Sequence, residues 1–472
     1  MTFTKVNFNK CPDILLIQPH QGRQATDYIF QPGAEIPLNL ACLSSYLERE
    51  GVTNEILDLR LYPDPIRVFK EVANIIEPKM IGISAFSSEK ENADTIALVS
   101  KKENKERPII IGGYHASALP RETLGAGLYD FLVYGEGEIS LTALVKCIVN
   151  EDRVGSIRGI AFKYNGQVVI NPPRELLSCL DSLPHPARHK LELGKYVPAP
   201  GTGNFLRLPT TGIMGSRGCP YNCNYCSKGV WGRAVRFRSP EDIVEEMADC
   251  TKAYGICDFR FYDDVLTLRE GYIKKLCTLI LEKGWDISWN CYSRVDTISL
   301  ELLKLMKKAG CYHIKYGIEF GTEKALRLAN KTTTLKQARE AVRLTKEVGI
   351  ECKGNFILGI PGETEKDCLE TIAFARDIMP DLASFYEYVS YPGSAFYQRD
   401  DRLSPEKVSK LVSRAYRSFY FSPRFVVQRL KRLARYPGRE ISLLYSGLSM
   451  MVAYFFKKRY QLIRYWLGMK RL

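Results

Sequence analysis

Residues 210–226 read TTGIMGSRGCPYNCNYC, and the reading of this stretch decides what architecture and chemistry to expect of the chain. Its first half is a short β-rich run broken by glycines, as where a strand passes into a loop. Its second half places Cys219, Cys223 and Cys226 within eight residues. Three thiolates this close can wrap one inorganic cluster. On a four-iron cube they leave one iron open to chelate a substrate, whereas four thiolates close the site and suit electron transfer. A structural zinc ion would need a fourth Cys or His at ligand spacing, and no residue near the triad in sequence offers one.

Downstream of the triad, strand candidates recur at DFRFYDD (258–264), ISWNCYS (287–293), HIKYGIE (313–319), KGNFILG (353–359) and SFYEYV (384–389), with helical stretches between them. The first helix is expected at Ser239-Pro240-Glu241-Asp242, where Ser caps, Pro fits the first turn and acids suit the amino end. Six such units are too few for a closed eightfold barrel and predict an open or partial one. Upstream, DILLIQP (13–19), EILDL (55–59), MIGISAF (80–86), PIIIGG (108–113) and FLVYGEGE (131–138) are apolar runs separated by helical segments, one of them at 37–50. Continuous apolar strands between helices predict a parallel, doubly wound, Rossmann-like sheet, with a ligand crevice at its carboxyl edge. GIAFKYNGQVVIN (159–171) carries a hairpin signal at Asn165-Gly166, and six prolines follow between 172 and 200. The expected organisation is therefore a first α/β domain at 1–150, a linker with a hairpin at 151–205 that packs across two domains, a partial barrel at 206–400, and a helical region at 401–472.

Charge separates the last of these from the rest. The formal net charge of +14 is carried by residues 401–472, with 17 Lys and Arg against 3 Asp and Glu, while the first 400 residues are neutral. Nucleic acid, a membrane surface or an anionic substrate can each answer to such a tail. An apolar content of 45% argues against disorder. The opening MTFTKVNFNK lacks the apolar region of a signal peptide, and the fourteen cysteines are scattered apart from the one triad; both point to a reducing cytosol. The longest uncharged run, 441–456, has sixteen residues, short of a membrane-spanning helix.

CxxxCxxC with an aromatic residue before the last Cys, after the first strand of a βα series, resembles the radical SAM superfamily. The resemblance implies a [4Fe–4S] cluster on Cys219, Cys223 and Cys226 whose open iron binds S-adenosylmethionine for cleavage to a 5′-deoxyadenosyl radical. Tyr225 falls where the family's aromatic packs near adenine. The segments at Phe261-Tyr-Asp263-Asp264, Ser293-Arg294-Val295-Asp296, Gly317-Ile-Glu319-Phe-Gly321 and Gly359-Ile-Pro361-Gly362-Glu363-Thr364 are similar to the family's strand-end motifs. Phe320 replaces the Ser usual there. A cation suits the S-adenosylmethionine carboxylate and an acid its ribose hydroxyls; Arg294 and Glu319 are the candidates, with Asp263 and Gly359 on the same rim. The first domain resembles the cobalamin-binding domain of one subclass through Ile111-Gly112-Gly113-Tyr114-His115, Ala118-Leu119-Pro120 and Gly135-Glu136-Gly137-Glu138. Ser84, Gly112, Gly113, His115, Gly135 and Glu136 are its expected contacts. The cobalt-ligating DxHxxG loop of the mutases is missing, so cobalamin is expected without a protein His ligand, with His20 and His115 as loop residues.

The resemblance implies C-methylation of an unactivated carbon. Cobalamin carries a methyl group from one S-adenosylmethionine, and a second S-adenosylmethionine gives the radical that removes a substrate hydrogen. A cyclase or ring-remodelling enzyme without methyl transfer is the rival, and a non-catalytic cobalamin sensor a more distant one. A tRNA methylthiotransferase would want a second Cys triad, which Cys11 and Cys42 do not supply, so no nucleic acid is expected. The expected partners are a small-molecule or lipid-like substrate and an external one-electron donor of the flavodoxin or ferredoxin type. The basic, Trp466-bearing tail suits peripheral contact with the inner face of a membrane, in an otherwise cytoplasmic protein.

Overall fold

The computed structural model describes residues 8–20, 34–198, 205–435 and 440–441. Strands β1 (Ile14–Gln18), β2 (Asn54–Asp58), β3 (Met80–Ser84), β4 (Ile109–Gly112) and β5 (Phe131–Val133) alternate with helices α1 (Leu38–Arg49), α2 (Pro65–Ile76), α3 (Lys90–Glu103), α4 (Tyr114–Ala118), α5 (Pro120–Gly125) and α6 (Gly137–Val149). The five strands are parallel, in the order β2-β1-β3-β4-β5. Their unbroken apolar runs follow from burial on both faces. Leu38 and Leu47 of α1 and Leu141 and Leu144 of α6 cover one face; Phe69 and Val72 of α2 and Ile96 of α3 cover the other. The strand order reverses between β1 and β3, so the crevice opens at their carboxyl ends. β5 is shorter than FLVYGEGE implies. Gly135 turns the chain at φ +75°, and Gly137 already opens α6.

The hairpin expected in a linker belongs instead to this sheet. β6 (Ile160–Tyr164) and β7 (Gln167–Ile170) close on Asn165 and Gly166, both at positive φ, and β6 pairs antiparallel with β5. Ile160, Ala161 and Phe162 are buried there, so the hairpin's apolar strand covers an edge that β5 would otherwise expose. The proline-rich stretch after it does touch both units. Ala187 N–H donates to the Ala41 carbonyl at 2.9 Å, while the buried Arg188 donates to Thr211 Oγ1 at 3.0 Å and pairs with Glu246 at 2.6 Å.

The second sheet starts at β8 (Thr210–Ile213). The two-residue β9 (Ser216–Arg217) and β10 (Arg236–Phe237) then pair across the neck of the cysteine loop. There follow α7 (Pro240–Tyr254), β11 (Asp258–Phe261), α8 (Glu270–Glu282), β12 (Ser288–Ser293), α9 (Leu300–Lys308), β13 (Cys311–Glu319), α10 (Glu323–Leu328), α11 (Leu335–Glu347), β14 (Glu351–Leu358), α12 (Glu365–Ile378) and β15 (Leu382–Glu387). Ser239 caps α7 as its sequence predicts, accepting from Asp242 N–H at 3.2 Å, with Pro240 in the first turn. The six long strands are parallel in the order β8-β11-β12-β13-β14-β15, an open half-barrel. Phe259, Trp289, Ile314 and Phe356 point to the helices.

α13 (Pro405–Tyr420) and α14 (Pro423–Arg435) close the described chain. Val408, Leu411 and Phe419 of α13 join the barrel core. Arg432 of α14 pairs with Glu351 at 2.8 Å and Asp381 at 3.3 Å below the strands. Part of the basic character is thus spent on closing the barrel. The uncharged run at 441–456 lies outside the described residues save Ile441. No helix among the described residues is long and apolar enough to cross a membrane.

Candidate active site

Cys219, Cys223 and Cys226 stand half-buried on the loop between β9 and β10. Burial works against the Lys228 ammonium, but Cys226, Cys219 and Asp264 beside it hold its pKa above the usual value. The loop is tied down on several sides. Asn224 N–H donates to the Ala329 carbonyl at 2.9 Å and Phe396 N–H to the Asn224 carbonyl at 3.0 Å. Asn330 Nδ2 donates to the Asn222 carbonyl at 2.8 Å. Gly218 sits at φ +94°, where a Cβ would strike the Ala234 carbonyl.

Asp263 supports this loop from below. Its carboxylate accepts from Gly215 N–H at 2.9 Å and Ser216 Oγ at 2.5 Å, and burial raises its pKa to about 6. The structure therefore turns Asp263 inward rather than toward a ligand. Asp264, its neighbour, lines the cavity described below.

A second group of residues gathers at the carboxyl ends of β12 and β13. Glu319 takes a left-handed φ of +71°, uncommon for a side chain larger than Gly and a mark of functional sites. Its carboxylate folds back over Gly317, where a Cβ would lie 2.5 Å from Oε1. Lys331 Nζ stands 3.7 Å from that carboxylate and donates to Tyr225 Oη at 3.3 Å. Burial raises the Glu319 pKa against the opposing pull of Lys331 and Arg294. Arg294 chelates Asp296 at 3.0 and 2.9 Å and lies 3.4 Å over the Tyr221 ring. Phe320, in place of the usual Ser, packs edge-on against Tyr225 at 5.8 Å. A cation, an acid and an aromatic ring thus meet beside the thiols. Gly359 is not among them: its N–H donates to Glu363 Oε2 at 2.8 Å, and a Cβ there would meet Val408 of α13 at 2.6 Å.

Between the two sheets lies a cavity of about 550 Å³. Leu16, Gly82, Ile110 and Val133 of the first sheet, with Leu38 and Leu141, form a slot between sheet and helices. Gly82 keeps it open, because a Cβ there would press on the Leu16 side chain of its wall at 3.1 Å. Ser84, Gly112, Gly113, Gly135 and Glu136 line the mouth, and Met214, Arg217, Trp231, Tyr262 and Asp264 line the barrel side. Tyr114 stacks on Phe86 at 5.2 Å and meets Trp231 edge-on at 6.0 Å. The bare glycine backbone and the deep apolar slot fit a large flat macrocycle with a tail, such as cobalamin, and the three thiols fit a [4Fe–4S] cluster. His115 points elsewhere: its Nδ1 lies 3.1 Å from Ser87 Oγ, and neither it nor His20 lines the cavity. Glu136 accepts from Arg217 at 3.0 Å, Arg236 at 2.8 Å and Leu177 N–H at 2.8 Å, so its carboxylate is spent between the domains.

Comparison with known proteins bears directly on this arrangement. The Radical SAM superfamily model matches residues 213–375, and the B12 binding domain model matches residues 32–145. An uncharacterised methyltransferase of Pyrococcus horikoshii is 32% identical over 420 residues, spanning 83% of this chain and 89% of that protein. The chain belongs to the cobalamin-dependent radical SAM enzymes. Its cofactors are a [4Fe–4S] cluster, S-adenosylmethionine and cobalamin, and it takes a small-molecule substrate and an electron from an external donor. The anaerobic magnesium-protoporphyrin IX monomethyl ester cyclase of Rubrivivax gelatinosus is 29% identical, over 78% of this chain and 67% of its own length. The solved structure of the radical S-adenosylmethionine methyltransferase TsrM of Kitasatospora setae shares the fold, with a TM-score of 0.68 at 20% identity, covering 81% of this chain and 74% of that one.

Lys331, Trp231 and Gly82 stand at the candidate site although no sequence motif singled them out, while Tyr114 lay inside a quoted motif without a role of its own. Gly82 left one signal, a lone glycine inside a fully apolar strand. Lys331 and Trp231 lie in loops with no motif around them.

Proposed function

We propose that this protein methylates an unactivated carbon of a hydrophobic, lipid-like substrate. The observation that supports it is the shared cavity. Its walls are the glycine loops of the first sheet and, across from them, Arg217, Val230 and Trp231 at the two ends of the cysteine loop, so the loop that bears the thiols adjoins the cobalamin-type crevice. When bound, the cluster with S-adenosylmethionine supplies a hydrogen-abstracting radical, and cobalamin supplies the methyl group. The chain's part is to orient them and exclude water. Lys331 and Arg294 would hold the carboxylate end of S-adenosylmethionine and Glu319 its ribose hydroxyls, and Tyr225 would pack beside its adenine. Phe86, Tyr114 and Trp231 form an apolar wall over the corrin side. The methyltransferase relative favours methyl transfer over the cyclase rival. Val426, Val427 and Leu430 of α14 are 47 to 60% exposed, which favours peripheral contact with a membrane that stores such a substrate. Anaerobic turnover with deuterated-methyl S-adenosylmethionine tests the reading: the product gains the label, and an unlabelled product overturns it. Co-sedimentation of the full chain and of residues 1–441 with anionic liposomes tests the membrane contact, which fails where neither sediments.

A further inference from the structure

The inner face of the half-barrel carries cations that the cofactor sites leave unused. Register places them in one band. Arg260 of β11 pairs with Asn290 of β12, Tyr292 with Lys315 of β13, and Lys315 with Lys353 of β14. The alternate positions Cys291, Ile314 and Cys352 lie in the helix-facing core, so the band faces the lumen. Lys315 stands four residues below Glu319 on the same strand.

The charges here are out of balance. Arg260 donates to Tyr292 Oη at 2.5 Å and pairs with Glu35, which also accepts from Tyr262. Its buried Nε has no hydrogen-bond partner among the described residues. Lys353 forms no ion pair with any described residue, and burial with the repulsion of Arg260 brings its pKa down to about 8. Burial and the same repulsion also push Lys315 well below the usual lysine value. Glu319 above is bound by Lys331, and Glu351, which pulls on Lys353 from below, is bound by Arg432; among the described residues Glu35 and Glu351 are thus the acids set against three cations. Burying like charges this way is costly unless an anion answers them. Glu35 shows what such an anion meets. It enters from the first domain, from the wall of the cavity itself, and sets its carboxylate on Arg260 and Tyr262.

We propose that this band binds an anionic group of the substrate, a carboxylate or a phosphate ester. The anion is anchored in the lumen by Arg260, Lys315 and Lys353, and the apolar chain runs up toward the cavity between the sheets. This rests on the methylation reading and narrows its substrate to an amphipathic anion.

The test is anaerobic calorimetry on the full chain loaded with cluster and cobalamin, titrated with decanoate, decyl phosphate and decanol. One or both anions bind about tenfold or more tighter than decanol, as a charge-assisted hydrogen bond requires; the tighter of the two assigns carboxylate or phosphate. Lys353→Met loses that preference and Lys353→Arg keeps it. Equal binding of all three probes by the wild type overturns the proposal, as does an undiminished preference in Lys353→Met. Should Lys353→Met fail to retain cobalamin, Lys315→Gln takes its place. Label transfer from deuterated S-adenosylmethionine is read separately. Anion preference without methyl transfer sinks the methylation reading alone, and methyl transfer without anion preference sinks the band alone.

Discussion

Glu136 Oε1 accepts from Arg217 Nη1 at 3.0 Å, so a carboxylate from the loop between β5 and α6 holds the strand that ends two residues before Cys219. The same carboxylate accepts from Arg236 on the partner strand, and Glu138 takes the other Arg217 nitrogen at 2.5 Å. The neck of the cysteine loop is thereby fixed to the domain across the cavity. Burial raises the Glu136 pKa, but Arg236 and Arg217 outweigh it and hold the group below its ordinary value. Its contribution to stability is therefore present above the unfolded value of 4.5 and is lost as pH falls through the lower folded value. Glu136→Gln leaves the buried Arg236 guanidinium without its countercharge, while Arg217 keeps Glu138, and costs about 3 kcal/mol. Denaturant unfolding of the loaded protein at pH 7 measures this, and an unchanged midpoint refutes it.

Why was Glu136 expected to touch a cofactor? The GEGE motif was legible as a crevice loop, and it is one. That its acid pairs across to Arg217 depends on how two sheets dock, which no local pattern encodes. The same holds for Asp263, a strand-end acid by position that turns into the loop beneath the thiols. Local chemistry was legible wherever one segment contains the whole device. The thiol triad, the Ser239 cap, the Asn165-Gly166 turn and the two strand series each follow from contiguous residues. The hairpin's membership of the first sheet was not, because β5 offers its edge only after the sheet has formed. Lys331 was not, because its partners Glu319 and Tyr225 lie 12 and 106 residues away.

Lys331 bridges Tyr225 and Glu319, and the proposed function gives it the charged end of S-adenosylmethionine. Lys331→Met removes a charge-assisted hydrogen bond, and S-adenosylmethionine affinity drops by about tenfold or more. Equilibrium dialysis on cluster-loaded protein reads this directly. Iron content stays at the wild-type level, because Lys331 is not a thiol ligand. A variant that loses iron as well assigns Lys331 to loop support instead.

Glu363 gives the fold a pH dependence of opposite sign. Its Oε2 accepts from Gly359 and Ile360 N–H at 2.8 and 3.0 Å, and Oε1 is buried without a partner among the described residues. Burial lifts its pKa to about 7. The folded state thus holds a proton that the unfolded state releases near 4.5. The resulting stability is complete below the unfolded value and is lost as pH rises through about 7. Glu363→Gln keeps the carbonyl acceptor and removes the titration. Its stability declines less than that of the wild type between about pH 5 and 8, and parallel profiles by thermal unfolding refute the assignment.

The slot beside Gly82 makes the sharpest demand on a single atom. Leu16, Ile110 and Val133 wall it, and a Cβ at Gly82 would meet Ile14 Cδ1 at 2.8 Å and Leu16 Cδ2 at 3.1 Å. The strand is buried on both faces, so neither neighbour can swing into solvent. Gly82→Val pushes those side chains into the slot, at an overpacking cost of about 1–3 kcal/mol. The protein still folds on that margin, since domains of this size keep about 5–15 kcal/mol. Cobalamin content measured by absorbance falls well below one per chain, while the three thiols still take up the cluster. Gly82→Ala gives an intermediate loss. Full cobalamin occupancy in Gly82→Val would show that the tail of the cofactor lies elsewhere than in this slot.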